Sequence, residues 1–133
     1  GQRRDLNREK FEANKLLEAL KNFDSPASKN ISYLSHIIKV RARLSAFHPE
    51  AFMKCLLTKI PNCIVFERGL EEEKVYVVCN MSDKSVNVSL LNEPDLLKSS
   101  YQKRLIDNIT GTYLSTDTFK LNPYQVVWLS ITE

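Results

Sequence analysis

The chain contains 133 residues, of which 43% are hydrophobic and 26% are charged. This length suits one domain with a small additional segment, and the composition excludes disordered, collagen-like and coiled-coil proteins. Its 19 Lys and Arg residues exceed its 16 Asp and Glu residues by only +3 charges, so the chain is not a dedicated nucleic-acid binder.

The basic excess lies in the first part of the chain. Residues 1–48 hold 10 Lys and Arg against 5 Asp and Glu, whereas residues 49–133 hold 9 against 11. No apolar run reaches the roughly 18 residues that span a bilayer, and no apolar signal core follows the first residues. We therefore expect no membrane partner, and the absence of an initial Met indicates a fragment of a longer protein.

Three cysteines bear on the cellular compartment. Cys55, Cys63 and Cys79 are odd in number and lie in apolar runs, which predicts buried free thiols rather than a disulfide framework. Free thiols persist in a reducing environment, so we expect a cytoplasmic protein.

Two helices are predicted in residues 1–48. The first covers residues 8–22, where leucines recur at helical spacing opposite charged residues. The second begins at Ser25 and Pro26, because Ser caps a helix start and Pro needs no backbone donor at the first helical position. Ser28 is the alternative cap.

The second predicted helix continues to Phe47 and ends at His48, which precedes Pro49. It has a broad apolar face that needs a large core to pack against. The apolar positions of this helix are Ile31, Leu34, Ile37, Ile38, Leu44 and Phe47.

After Pro49 the pattern becomes that of β-structure. Residues 85–90 alternate strictly, which predicts a strand with Val86, Val88 and Leu90 facing the core. The predicted strands are 52–58, 63–66, 75–79, 85–90, around 113–114, 118–121 and 125–131. We expect strands 63–66, 75–79 and 85–90 to form an antiparallel meander, and residues 92–100 to form a loop. The fold class is thus α+β, with helices in residues 1–48 and an antiparallel β-domain in residues 49–133.

The residue pattern alone indicates no catalytic, metal or cofactor site. Only three glycines are present, so a glycine-rich phosphate loop is excluded. His36 and His48 have no Cys or acidic residue at ligand spacing, which argues against zinc. The acidic run Glu71–Glu73 is typical of a solvated turn rather than a cation site.

A family resemblance begins in the segment Arg4-Asp5-Leu6-Asn7-Arg8. This segment resembles the Arg-Asp-Ile-Asn-Arg element of sucrose phosphorylases and related members of the α-amylase superfamily, glycoside hydrolase family 13. Further segments similar to that family follow in the same order along the chain. They are Ile37–Phe47, Val65–Arg68, Val77–Ser82 and Leu121–Leu129. The resemblance implies the last helices of a (β/α)8 barrel followed by the C-terminal β-domain.

The resemblance also implies a function. Such enzymes retain configuration while moving a glucosyl group from an α-glucoside, typically sucrose, to phosphate or water. Their catalytic carboxylates lie on upstream barrel strands, so none is assigned in this chain. The family element implies that Arg8, with Arg4 as second choice, binds the glucosyl unit; Glu9 follows where many members have His. The implied partners are the catalytic barrel of the parent polypeptide and its substrates, an α-glucoside and phosphate.

Two alternative functions stay open at this point, together with the question of what covers the apolar helical face. A free-standing β-module could bind carbohydrate by stacking Tyr113, Tyr124 or Trp128 on sugar rings. A basic helical surface around residues 39–43 could bind acidic partners. The apolar helical face around Ile31 needs a cover, which is either the sheet or a second copy in a homodimer.

Overall fold

The computed structural model describes residues 12–89 and 104–132. Its contacts divide the chain into two compact units, Gly1–Ile38 and Lys39–Glu133, which are described separately below. Helices precede an antiparallel β-structure, so the predicted α+β class is confirmed. The predicted domain boundary between residues 48 and 49 stays a prediction, although the chain does change from helix to strand between Phe47 and Met53.

The helices begin as the sequence predicts. Helix α1 covers Ala13–Lys21 and helix α2 covers Pro26–Arg43. The backbone N–H of Ser28 donates to Ser25 Oγ at 3.1 Å, which satisfies one of the unpaired donors at the start of α2. Ser25 is therefore the cap, Pro26 is the first helical residue, and the alternative cap Ser28 is wrong.

The predicted end of the second helix is wrong by its last turn. Helix α2 stops at Arg43, Leu44 is extended with φ −98° and ψ 109°, and Ser45–Phe47 form a short 3₁₀ helix. The reason is packing, because the break at Leu44 turns Ala46 into a buried position with 1% exposure. His48 ends this 3₁₀ helix, its N–H donating to Ser45 O at 2.9 Å.

Apolar side chains of the first unit remain on its surface. Leu17, Ile31, Leu34 and Ile38 are all about half exposed or more. The predicted homodimer through this face stays a prediction. Among the described residues, no helix combines the length and the apolar character needed to cross a bilayer.

Eight strands are present in the described residues. They are β1 Met53–Leu56, β2 Cys63–Arg68, β3 Val75–Asn80, β4 Val86–Val88, β5 Arg104–Asp107, β6 Thr112–Leu114, β7 Phe119–Leu121 and β8 Val126–Thr132. Six form an antiparallel sheet in the order β1-β2-β3-β8-β5-β6, and β4 pairs with β7 in a second, two-stranded sheet. Strand β5 was not predicted, and the predicted loop 92–100 lies outside the described residues.

The predicted meander is wrong at its third strand. Strands β2 and β3 pair as expected, but β4 leaves the large sheet and pairs with β7, Asn87 facing Lys120 in register. The turn after β3 redirects the chain because Asn80 Nδ2 donates to Lys84 O at 2.7 Å and to Asn122 O at 2.8 Å. Val86 and Val88 are buried, as predicted, whereas Leu90 lies outside the described residues.

The large sheet has two different faces. Its inner face and the small sheet enclose the main core, whose largest fully buried members are Leu105, Leu121, Leu129, Val65, Val78, Val88 and Val127. Its outer face carries a smaller cluster of Ala46, Val75 and Val77. The cysteines are free, but Cys55 is exposed and the other two are only half-buried, so the prediction of buried thiols is wrong. These positions lie on an edge strand or near the ends of strands, where neighbouring elements give little cover.

Candidate functional site: the junction between helix α2 and the sheet

The residues predicted to bind substrate, Arg8 and Arg4, lie outside the described residues. Within residues 12–89 and 104–132, no group of three His, Cys, Asp or Glu side chains could hold a metal ion. The best-built polar feature of the second unit is instead the segment Leu44–His48, called the junction segment here. It follows directly on helix α2 and lies on the outer face of the large sheet.

Arg68, near the end of β2, binds the junction segment at two points. Its Nε donates to Ala46 O at 3.0 Å and its Nη2 donates to His48 O at 2.9 Å. The guanidinium carbon also lies 5.8 Å from the centre of the Phe47 ring, within cation–π range. The planar fork of Arg fixes two carbonyls at once, which a single ammonium group does not reproduce.

Two close contacts fix the junction segment against the β2–β3 turn. Gly69 has φ +77°, and a Cβ at this position would lie 3.0 Å from both Ala46 Cβ and Glu73 O. Ser45 Oγ donates to Glu73 Oε2 at 2.7 Å. The acidic run at 71–73 therefore forms a 3₁₀ turn that ties down the junction segment, which refines its prediction as a solvated turn.

Trp128 belongs to the junction rather than to an open aromatic surface. Its ring centre lies 4.4 Å from that of Phe47, and it pairs in register with Val77 on β3. Tyr124 lies in the turn before β8 and is exposed, so it lies outside the strand that carries Trp128. Tyr113 is exposed on β6, two strands away from β8 in the sheet order. The three aromatics thus do not form one stacking platform.

The basic residues at the end of α2 are exposed at positions 39, 41 and 43. One of them faces the junction segment, because Arg41 Nη2 donates to Phe47 O at 3.2 Å. This bond connects the last turn of α2 to the junction segment. It gives Arg41 a structural role within the second unit.

Two buried carboxylates have structural partners. Asp107 is 2% exposed and accepts bonds from Thr110 Oγ1 at 2.8 Å and from the N–H groups of Trp128 at 3.0 Å and Ile109 at 3.2 Å. Glu67 pairs with Lys74 Nζ at 3.2 Å. Neither carboxylate is available to attack or protonate a sugar, because its oxygens are buried and already bound by groups of the sheet and its turns.

Burial also governs the titratable groups of the sheet. It raises the pKa of the Tyr76 phenol, with the Glu67 carboxylate as a second cause. Burial raises the pKa of the Cys63 thiol. It also raises the pKa of the Cys79 thiol, and the charge of nearby Cys63 raises that pKa further. Thiols with raised pKa values are poor nucleophiles at neutral pH. The arrangement therefore provides rigidity rather than acid–base or nucleophilic chemistry.

Sequence reasoning did not find the junction residues. Arg68 lies inside the segment that resembles the family, and Gly69 follows it, but no periodic signal shows that an Arg on a strand binds carbonyls 20 or more positions earlier. For Asp107 a local signal exists: the residues Asp-Asn-Ile-Thr at 107–110 indicate a turn, since Asp and Asn favour turns.

The sequence is similar to that of a known protein family and of a curated protein. The family model described as the α-amylase SusG C-terminal domain matches residues 64–127, from β2 into β8. The glucosylglycerate phosphorylase of Allomeiothermus silvanus is 32% identical over 126 residues, which is 95% of this chain and 20% of that protein. The chain thus spans about one fifth of the length of this curated relative.

Two solved structures share the fold. The trehalose-6-phosphate hydrolase of Bacillus licheniformis matches with a TM-score of 0.58 and 20% identity, over 88% of this chain and 20% of that one. An Anoxybacillus α-amylase matches with a TM-score of 0.57 and 18% identity, over 82% of this chain and 24% of that one. These two structures show the fold alone, whereas the family model and the phosphorylase relative support a C-terminal portion of a glycoside hydrolase family 13 enzyme.

Proposed function

We propose that this chain is the non-catalytic, supporting part of a polypeptide whose barrel transfers a glucosyl group from an α-glucoside to phosphate. The observation that carries the proposal is the similarity to a glucosylglycerate phosphorylase along 95% of the chain. Phosphate as acceptor follows from that relative's name, and water is the competing acceptor in hydrolases.

The supporting role follows from the chemistry that the reaction needs. Retaining glucosyl transfer uses a carboxylate nucleophile and a second carboxyl group about 5 Å away. The buried carboxylates of the described residues, Asp107 and Glu67, are engaged within the sheet. The reacting carboxylates therefore come from the barrel, and the β-domain contributes stability to it.

The proposed glucosyl donors come from two sources, the family resemblance and the phosphorylase relative. Sucrose is the usual donor of the enzymes that the Arg4–Arg8 segment resembles, whereas the phosphorylase relative is named for glucosylglycerate. We propose glucosylglycerate as the first donor to test and sucrose as the second. Arg8, with Arg4 as second choice, is proposed to hold the glucosyl unit or phosphate, because a guanidinium keeps its charge and binds oxygens in a fixed geometry.

The test uses the whole parent polypeptide. Each donor is incubated with and without inorganic phosphate, and glucose 1-phosphate and free glucose are measured. We expect phosphate-dependent release of glucose 1-phosphate from glucosylglycerate and lower activity on sucrose. Release of glucose alone, at a rate independent of phosphate, would replace the phosphorylase proposal with a hydrolase.

A second arm tests the supporting role. The 133-residue chain alone should give no turnover of either donor, since it lacks the nucleophile and acid. Turnover by this chain would refute the role. In the parent polypeptide, Arg68→Ala should speed thermal inactivation while the KM of the remaining enzyme stays unchanged, because Arg68 binds the junction segment and not a sugar.

We also propose a cytoplasmic location. The support is the three free thiols at positions 55, 63 and 79, which are compatible with a reducing compartment. Fractionation of the source cells, followed by detection of the parent polypeptide, tests this proposal. Recovery in an extracellular fraction would contradict it.

A further inference from the structure

We propose that strand β1, at the open edge of the large sheet, pairs with strand β1 of a second copy of this chain. The partner is thus an extended strand of the same sequence, related to the first by a two-fold axis. This inference goes beyond the proposed function, because it concerns assembly and does not depend on the reaction. It is carried by residues 52–57, called the edge segment here.

The first observation is the set of backbone groups on the open side of β1. In the part of the chain that the structure describes, β1 is the end strand of the large sheet. Gly69 N–H donates to Phe52 O at 2.9 Å, and the β1–β2 register stays in phase along the strand. Because backbone groups alternate between the two sides of an antiparallel strand, those of every second residue from Phe52 point to β2. Those of Met53 and Cys55 therefore point to the open side, and Leu57 is the next residue in this alternation.

The second observation is the apolar character of the edge segment. Leu57 is 99% exposed, Met53 is 61% exposed, and Phe52 is also exposed. Lys54 is the one charged residue of the segment, and no proline interrupts it. Sheets protect their open edges with charged residues, prolines or bulges, and an apolar edge with little of this protection is a site of strand pairing.

The edge segment is self-complementary around Cys55. A two-fold axis at this residue places the two Cys55 residues opposite each other, and it places Met53 opposite Leu57 of the second copy. These three positions carry the open-side backbone groups, so each opposed pair can exchange two hydrogen bonds. Residues 53, 55 and 57 also share one face of the strand. The exposed side chains of Met53 and Leu57 therefore cover each other in the pair of strands.

Charge selects this register over the neighbouring one. An axis centred at Lys54 would place two ammonium groups directly opposite each other, which destabilises a pair of strands. With the axis at Cys55, Lys54 lies opposite Leu56 of the second copy, and the two Lys54 residues are offset by two positions. Each Lys54 also pairs in register with Glu67 of its own β2. The charges of the edge segment are therefore compatible with a second copy in the register centred at Cys55.

The length of the edge segment determines the strength expected of the contact. A pairing of such short strands is smaller than a standard protein interface, so we expect a dissociation constant of roughly 10–100 µM. The dimer therefore forms at high protein concentration and dissociates on dilution. The opposite edge strand, β6, has 3 residues, and Tyr113 is its exposed large apolar side chain. It provides the control position for the experiments.

The main experiment joins thiols across the proposed two-fold axis in the whole parent polypeptide. The polypeptide at about 100 µM is treated with dibromobimane, in which each of two bromides is displaced by one thiolate, so that it joins thiols that lie close together. We expect a dimer that contains the Cys55 peptide of both copies, identified by mass spectrometry. Its yield should fall about tenfold on a hundredfold dilution. Cys55→Ala should abolish this product, because Cys55 is the exposed thiol of the chain.

A mixture of two variants tests the register. One variant combines Cys55→Ala with Met53→Cys, and the other combines Cys55→Ala with Leu57→Cys. The mixture should give a cross-linked heterodimer, whereas each variant alone should give about tenfold less, because its two thiols are offset by about 13 Å along the strands. Equal yields from the mixture and the single variants would overturn the pairing centred at Cys55.

Two further results of the main experiment would overturn the proposal. Alkylation of Cys55 without any product that joins two Cys55 peptides would show that the edge is free. A cross-link from Cys55 to the preceding part of the same polypeptide, with a yield unchanged by dilution, would show that this part covers the edge. Neither result depends on substrate turnover, so both leave the proposed function standing.

A charge substitution tests the apolar contact of the edge. Leu57→Lys leaves the β-domain folded, because this side chain is fully exposed, but it removes both contacts between Met53 and Leu57 and adds two ammonium groups to the dimer. We expect the yield of the Cys55 product at about 10 µM polypeptide to fall about tenfold. Tyr113→Lys, on the opposite edge strand, should leave the yield unchanged. Equal yields for the two variants, with unchanged circular dichroism, would contradict pairing through β1.

Discussion

Replacing Arg68 tests the junction directly. Arg68→Ala removes two charge-assisted hydrogen bonds, to Ala46 O and His48 O, and a cation–π contact with Phe47. The carbonyl of Ala46 belongs to a buried residue, so its loss of a partner leaves a poorly hydrated acceptor. Since the second bond is exposed and screened, we expect a loss of about 2 kcal/mol in the free energy of unfolding.

Urea unfolding followed by fluorescence measures this loss, because Trp128 is the only tryptophan of the chain and packs on Phe47. Arg68→Lys should lose about half as much, since one ammonium replaces only part of the fork. Arg104→Ala, at an exposed Arg on the same sheet, should lose less than about 0.5 kcal/mol. If Arg68→Ala and Arg104→Ala proved equal, the Arg68 fork would not stabilise the junction.

Three further predictions concern the β-domain. Val88→Asp should unfold it, because Val88 is fully buried and an unpaired carboxylate there costs several kcal/mol. Asn87→Asp, at an exposed position, should be tolerated, and similar circular dichroism melts of the two variants would show that the register is wrong. Gly69→Ala should lower the free energy of unfolding by about 2 kcal/mol. Gly111 has a similar φ but open space around it, so Gly111→Ala should lower it by about 1 kcal/mol. Equal losses in urea unfolding would exclude the contact with Ala46. Burial raises the pKa of the folded Tyr76 phenol above its ordinary value of 10.0, so the stability that depends on its neutral form is present below pH 10 and is lost as pH rises above it. Tyr76→Phe should therefore reduce the loss of stability above pH 10 in alkaline unfolding, and an unchanged slope would contradict this.

Local signals in the sequence were sufficient for the elements that depend on neighbouring residues. Ser25 and Pro26 set the start of α2 because capping involves groups within one turn. The alternation around Val86 and Val88 identified the buried face because side chains two positions apart always share a face. The change from a helical to a strand pattern near Pro49 identified the α+β class, and the family resemblance agreed with it.

Distant contacts explain what the sequence did not reveal. The pairing of β4 with β7 instead of β3 depends on Asn80, whose amide binds Asn122 O 42 positions later. The early end of α2 depends on the burial of Ala46 against Gly69 and on Arg68. Alternation predicts which side chains of a strand face the core, but it does not predict which strand pairs with it. The meander was the simplest choice of pairing and was wrong at β4.

The polar side chains of the sheet favour a β-domain that completes its own fold. Asn80 joins the turn after β3 to the turn before β8, and Asp107 joins the turn after β5 to β8 itself. Both residues are buried and satisfied within the second unit, so these connections need no group from a preceding barrel.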